Sequence, residues 1–323
     1  MHKQTNFRPC REIPDITNVL VVCASRGPPQ HRVHRVHRGS LADRPAEHMA
    51  ATLHQAAKYG DEKTVARLLV DPLDPRLDLS EGDGNEALRL ASEGGHDKVV
   101  ALLLADPRVD PTAARNCAVR WAAVYGHYAT VSILLADPRV DPSDYTNHAV
   151  RQASGNGHDK VVALLLTDAR VDPSARSNEA TRWAASLGYD KVVAVLLADP
   201  RTDPSMDSIT IMALAAESGR DTTVALLLND PRFDPSGGDN NSVWWAAMNG
   251  HDTTVALLLA DRRVQRALAT MGPLPLWSVA LRNPAMTRLR AAIADARRWR
   301  RRRALALLRE QRRAARDHQK SWL

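Results

Sequence analysis

The strongest constraint on this chain is self-similarity at a fixed period. GHDKVVALLLADPRVDP from Gly95 returns as GHYATVSILLADPRVDP from Gly126, GHDKVVALLLTDARVDP from Gly157, GYDKVVAVLLADPRTDP from Gly188 and GRDTTVALLLNDPRFDP from Gly219, a spacing of 31 residues. A unit of that size cannot bury an apolar face by itself, so successive copies must stack and share one core. Successive units start at Asn85, Asn116, Asn147, Asn178, Ile209 and Asn240, and each of these residues is position 1 of its unit.

Positions 2 to 10 read EALRLASEG, CAVRWAAVY, HAVRQASGN, EATRWAASL, TIMALAAES and NSVWWAAMN, each followed by Gly at position 11. Apolar or small residues at 4, 7 and 8 share one helical face, and the Gly suits the left-handed residue that ends a helix. A second helix is predicted from position 13, where Asp favours the N-terminal dipole. Val at 16 and aliphatics at 18 to 20 give it an apolar stripe too wide for a surface helix, so it is expected to be a buried outer layer. Asp-Pro at 22 and 23 stops it, and the DPS segment after it is expected to be a turn.

Helix, Gly-His turn, V-V-x-L-L-L helix and polar turn together resemble the ankyrin repeat. Ala51 to Ala57, ATLHQAA, followed by Gly60-Asp61, carries the resemblance most closely, and it extends from about residue 50 to 293 over seven units. Later units depart from it. The box around the family's histidine becomes E-A-L-R at Glu86 to Arg89, and DPRVDPS replaces the usual turn. The unit is also shorter than the family's roughly 33 residues, which speaks against a full β-hairpin finger. The expected architecture is an all-α solenoid of helix-turn-helix repeats over 49–293, ending in a divergent cap. The resemblance implies a non-catalytic scaffold that binds a protein partner along a concave face of first helices and turns.

Residues 1–48 stand outside the repeat, and the basic string HRVHRVHRGS from His31 reads as a disordered tail. His31, His34 and His37 have a metal-tract pattern, but the alternating arginines would repel a cation. Met49 directly precedes the first unit, which makes it a candidate start and the preceding segment dispensable for folding. The first unit carries an extended turn, PLDPRLDLSEGDGN from Pro72, of the kind a solenoid edge tolerates. After Gly250 the last turn degenerates to Arg262-Arg263-Val264-Gln265, and Leu276 to Ala280 with Met286 to Ile293 suggest an eighth, capping unit. Cys10, Cys23 and Cys117 make no disulfide framework, and no apolar run would span a membrane, so the expected location is intracellular, cytoplasmic or nuclear.

Charge is distributed unevenly. The net charge of +7 conceals a mildly acidic repeat body, because residues 288–320 hold thirteen Lys or Arg against Asp295, Glu310 and Asp317. This tail (285–323) reads as one basic helix overlapping the cap. Arg297, Arg298, Arg300, Arg301, Arg302, Arg303, Arg312 and Arg313 are its candidate polyanion-binding residues. They offer a second reading of the chain, in which the tail binds nucleic acid or an anionic membrane surface and the repeats position it.

Catalysis finds little support, since no phosphate-loop, zinc-protease or nucleophile-elbow motif occurs. The recurring His96, His127, His158 and His251 sit in neighbouring units about 8–10 Å apart, too far to share a metal ion. Each is expected to hydrogen-bond within its own unit. No cofactor is expected, and a monomer is. Arg108, Arg139, Arg170, Arg201 and Arg232 align as one column and Asp110, Asp141, Asp172, Asp203 and Asp234 as another, a pattern read as a structural ladder of exposed pairs. The candidate partner-binding residues are aromatic. Trp121, Trp183 and Trp245 occupy position 6, beside the core positions, with Trp244, Tyr125 and Tyr145 nearby. They are expected to face the groove, the alternative being that each fills the gap to the neighbouring unit.

Overall fold

A computed structural model of the chain describes residues 44–70, 79, 82–205 and 207–270, together with positions 294, 298 and 302. The chain divides into Met1–His48 and Met49–Leu323, and the repeats belong to the second unit. Helix α1 runs over Arg44–Tyr59, so residues 44–48, expected to lack structure, are helical. The remaining residues read as a disordered tail lie outside the described residues.

Helices come in pairs at the period of the sequence. After α1 and α2 (Glu62–Leu69) come α3 (Asp83–Gly94) and α4 (Asp97–Ala105), α5 (Ala113–Val124) and α6 (Tyr128–Leu135), α7 (Asp144–Gly155) and α8 (Asp159–Leu166). The chain continues with α9 (Ala175–Leu187) and α10 (Asp190–Ala198), α11 (Ser208–Glu217) and α12 (Asp221–Asn229), α13 (Gly237–Met248) and α14 (Asp252–Ala260), and a single helix α15 (Arg262–Thr270). Helices α3, α5, α7, α9, α11 and α13 pack one on the next as one layer, and the second helices, α2 to α14, form the other. No strand occurs among the described residues. The repeats are an all-α solenoid.

The core lies between the layers. Positions 4, 7 and 8 of the first helix are buried, as in Val119, Ala122 and Ala123, and small residues there let neighbouring helices approach closely. The second helix contributes positions 15, 16 and 19, for example Val161, Val162 and Leu165. Positions 18 and 20 are only half-buried, as at Leu164 and Leu166. The outer layer is thus less enclosed than its composition suggests, because no described element of the repeat packs against its far side. At position 15, a buried Thr in place of Val bonds the preceding unit: Thr130 Oγ1 donates to Asp97 Oδ1 at 2.5 Å.

The turn between units holds a conformation that the sequence hardly announces. Ala114, Arg115 and Asn116 have φ of 49°, 60° and 52°, and the same left-handed turn recurs at 145–147, 176–178 and 238–240. Left-handed geometry costs about 1–2 kcal/mol for each L residue with a Cβ, Asn tolerating it best. Local hydrogen bonds offset that cost. Arg120 donates from Nε to Arg115 O and from a terminal nitrogen to Ala114 O, both at 2.9 Å. Arg151 repeats the bond to Thr146 O at 2.9 Å. The position-1 Asn finishes the turn and stitches it down, since Asn116 Oδ1 accepts from the Asp141 N–H at 2.8 Å and its amide donates to Asp144 at 2.9 Å. Where Ile209 replaces Asn, α11 begins without this turn. Arginine at position 5 holds this turn where Arg120, Arg151 and Arg182 occupy it, whereas the turn at 238–240 forms with Trp244 at that position.

The C-terminal end departs from expectation. Instead of a degenerate turn, residues from Arg262 continue as α15, whose Val264 and Leu268 are buried. Gln265 and Arg266 stand where earlier units have Asp-Pro, so nothing stops a helix there. Gln265 Nε2 donates to Leu259 O at 2.9 Å and so caps α14 from within its own unit. Leu276 to Ala280 and Met286 to Ile293, expected to form a cap, lie outside the described residues.

Leu165 is fully buried in the central unit. Leu165→Ala is expected to lower the unfolding free energy by about 2–5 kcal/mol. Urea denaturation of the variant measures this, and a loss below about 0.5 kcal/mol would contradict the placement of α8 between layers.

Candidate functional site

Two recurrent polar residues with the look of chemistry have structural roles. His127 Nε2 lies 2.9 Å from Glu93 O, and His96, His158 and His251 stand equally close to Lys58 O, Val124 O and Glu217 O. A carbonyl only accepts, so each Nε2 carries the proton. The bond reaches the preceding unit, not the histidine's own, and supplies a donor to the last turn of that unit's first helix. In the unit at Ile209, Arg220 replaces histidine and reaches Ser186 O at 3.0 Å. Each ring also covers the preceding unit's glycine. Gly126 has a φ of 77°, and a Cβ on it would stand 2.5 Å from His158 Nδ1.

The arginine of DPR pairs with the aspartate before it rather than the one after. Arg170 meets Asp168 at 2.6 Å and Arg201 meets Asp199 at 2.6 Å, each also donating from Nε. The expected pairing with Asp110, Asp141, Asp172, Asp203 and Asp234 is therefore incorrect. Those carboxylates accept from the backbone two residues on, as Asp141 does from the Ser143 N–H at 2.9 Å. Nor are the pairs exposed ladder rungs: the Asp199 side chain is 10% exposed. Arg201 then crosses to the preceding unit, donating to Val171 O at 2.9 Å and Leu166 O at 2.6 Å, and Arg232 does the same to Thr202 O and Leu197 O. The Arg170 hydrogen bond holds the Asp168 carboxyl below the usual carboxylate range, against the opposing effect of burial. Asp137, Asp199 and Asp230 are lowered in the same way by Arg139, Arg201 and Arg232.

The candidate aromatic residues lie on the first helices or at their ends, and in the turns that precede them. Trp121 is 36% exposed there and stacks on Tyr125, 48% exposed, with ring centres 6.0 Å apart. Tyr125 continues onto His127 at 6.2 Å. Tyr145, in the left-handed turn, is 47% exposed, with the Arg120 and Arg115 guanidinium groups 4.9 and 5.5 Å from its ring centre. Trp183 is half-buried, and its indole lies against Gly155 of the preceding unit, where a Cβ would come within 2.7 Å. It thus takes part in packing between units while keeping one side open. Trp244 packs against the core and meets Trp245 edge-on at 5.0 Å. The structure therefore joins Trp121 with Tyr125 and Trp244 with Trp245, sets Tyr145 against Arg120 of the helix that carries Trp121, and leaves Trp183 in another unit.

Sequence reasoning passed over the charged side of this face. Arg120, Arg151 and Arg182 at position 5 were visible only as replacements for a family histidine. His148 lies among them, its ring 5.3 Å from that of Tyr145. Burial, with Arg120, Arg151 and Arg176 nearby, pushes its pKa down to about 4, so it is neutral at physiological pH. Of the candidate polyanion-binding arginines, Arg298 and Arg302 are helical and exposed. Arg297, Arg300, Arg301, Arg303, Arg312 and Arg313 lie outside the described residues. No helix among the described residues is long and apolar enough to cross a membrane.

This paired-helix geometry has a counterpart in sequence. The family described as ankyrin repeats (3 copies) matches residues 53–146. Residues 53–146 carry ankyrin repeats. Among curated proteins, the transient receptor potential cation channel subfamily A member 1 of Homo sapiens is 57% identical over 54 residues. The match takes in 16% of this chain and 5% of the channel, so the two share a small stretch of repeat and little of the channel's length. The same helix-turn-helix period continues past the matched residues to α14.

Within the ankyrin stack, Gly126→Ala is expected to cost more than the roughly 1–2 kcal/mol of left-handed strain, because the new Cβ also displaces the His158 ring. In a double-mutant cycle with His158→Ala, part of that loss should be recovered; strict additivity of the unfolding free energies would show the ring contact to be unimportant. For the aspartates, a folded-state pKa below the unfolded value near 3.9 means stability that is present above about pH 4 and lost as pH falls through the folded pKa. Urea titrations between about pH 5 and 2 should show a steep decline that becomes shallower in Asp168→Asn/Asp199→Asn.

Proposed function

We propose that the stack is a non-catalytic scaffold that binds a protein partner along the face of its first helices and turns. Ankyrin repeats are protein–protein interaction modules. What supports this face in particular is the exposed Trp121–Tyr125 stack, a pair of large aromatic rings held on rigid helix α5 without being needed to fill the core. Interface anchors are commonly aromatic, because such rings bury much area while few rotamers are lost. The histidines and turn arginines are engaged with backbone carbonyls, and among the described residues no general base and nucleophile are grouped on this face.

The test is a pull-down from cell extract with the full chain, with and without nuclease, followed by affinity measurement on the protein retained. Trp121→Ala is expected to weaken that affinity by roughly 30-fold or more, the equivalent of about 2 kcal/mol, while unfolding free energy changes by less than about 1 kcal/mol. Retention abolished by nuclease would overturn the proposal in favour of the Arg-rich tail acting on nucleic acid. Unchanged affinity in the variant would remove the aromatic pair from the interface.

A further inference from the structure

Charge on the first-helix face is concentrated in its middle. In the unit at Asn85, Arg89 is closed off by Glu86 and Glu93, each at 2.7 Å. In the units at Ile209 and Asn240, position 5 is Ala213 and Trp244. Between them, Arg120 and Arg182 direct their hydrogen bonds to main-chain carbonyls of the left-handed turns. Arg115 and Arg176 project from those turns, exposed. The carboxylate paired with this group is Glu179, which takes the buried Arg151 and stands 3.6 Å from Arg176. Asp144 is occupied with the Asn116 amide and the Tyr145 N–H. The result is two pairs of cations, Arg115 with Arg120, both against the Tyr145 ring, and Arg176 with Arg182, separated by one unit whose own arginine is neutralised.

The spacing of these pairs selects a ligand shape. They belong to units two apart, so at about 8–10 Å for each helix-to-helix step they stand about 16–20 Å from each other. An extended segment in the polyproline II conformation rises about 3.1 Å per residue and presents every third side chain on one face. Residues i and i+6 of such a segment are therefore on the same side and about 19 Å apart, and residue i+3 falls midway. Proline between the two acidic ends would keep such a segment extended, while the Tyr145 ring stays with the first cation pair, 4.9 and 5.5 Å from the Arg120 and Arg115 guanidinium groups. The depressed pKa of His148 is an independent sign of the positive potential here, since neighbouring arginines disfavour its protonated form after burial has done so.

We infer that the turns and first helices from Arg115 to Arg182 dock an extended acidic segment of a protein partner, with carboxylates six residues apart joined by a proline stretch. This rests on the scaffold reading above and specifies the chemistry of its ligand. An alternative polyanion site in the same chain, the basic tail, has no reason to distinguish carboxylates at one spacing from carboxylates at another. Spacing therefore separates the two.

The experiment uses the full chain and two fluorescein-labelled peptides of one composition, Glu-Glu-Pro-Pro-Pro-Pro-Pro-Glu-Glu and Pro-Pro-Glu-Glu-Glu-Glu-Pro-Pro-Pro, with binding read by fluorescence anisotropy. The spaced peptide is expected to bind at least fivefold more tightly. Arg115→Gln/Arg176→Gln alters exposed side chains and leaves Arg120 and Arg182 to hold the turns; it should abolish the preference while the melting curve followed by circular dichroism stays in place. Arg301→Gln/Arg303→Gln in the tail should weaken both peptides equally and keep the preference. Equal affinity for the two peptides in the native chain would overturn the inference, as would a preference that survives Arg115→Gln/Arg176→Gln. If those results accompany a retained protein whose affinity depends on Trp121, the scaffold reading stands and only the ligand chemistry fails.

Discussion

Helix ends leave carbonyl groups without partners, and in this protein the donors come from the next unit along the chain. The last turn of a first helix is met by the following histidine, as Glu93 O is by His127. The last turn of a second helix is met by the following turn arginine, as Leu197 O is by Arg232. Four carbonyls at every helix C-terminus lack an intrahelical partner, and an unpaired buried polar group costs about 1–3 kcal/mol. A unit standing alone would keep its apolar face open and its helix ends unmet together. Stacking resolves both at once, which is why a helix as short as the eight residues of Tyr128–Leu135 can persist here.

The direction of these bonds gives the stack a polarity. Each unit receives donors from the unit after it and gives them to the unit before. Losing a neighbour on the N-terminal side strands a histidine and an arginine that water can solvate. Losing one on the C-terminal side strands carbonyls beside a core. Past α14, Gln265 turns back to Leu259 O, the carbonyl that a following arginine would otherwise reach. Gly250, the last of the helix-ending glycines, has no ring over it within 4 Å among the described residues.

Much of this was legible from sequence because period, helix stops and small core residues are properties of residue type. Gly at position 11 and the aliphatic run of the second helix required no partner to be recognised. What escaped was relational. His158 could be placed in a turn, but whether it bonded its own unit or the one before depended on which carbonyl lay above it. Arg170 has an aspartate two residues away on either side, and only the backbone path decides for Asp168. The left-handed turn at Ala114 to Asn116 was hidden for another reason. Ala, Arg, Tyr, Thr and Ser are poor left-handed residues, and the single favourable signal, Asn at position 1, is outweighed in any local count. The conformation exists because Arg120 and Asn116 both bond across it.

The same turn explains why the candidate binding face has the composition it does. A long cation at position 5 can reach the carbonyls of the residues before it, as Arg120 and Arg151 do, although the turn at 238–240 forms with Trp244 there. At these positions the arginine has a structural role independent of any ligand. Where an acidic neighbour accompanies it, as Glu86 and Glu93 do for Arg89 and Glu179 for Arg151, the charge is balanced locally. Where none does, at Arg120 and Arg182, a fold-determining residue leaves a surplus of positive charge beside exposed aromatic rings. The charge of this face therefore depends on single carboxylates at positions 2 and 9, as Glu86, Glu93 and Glu179 show, and not on the residues that keep the units stacked.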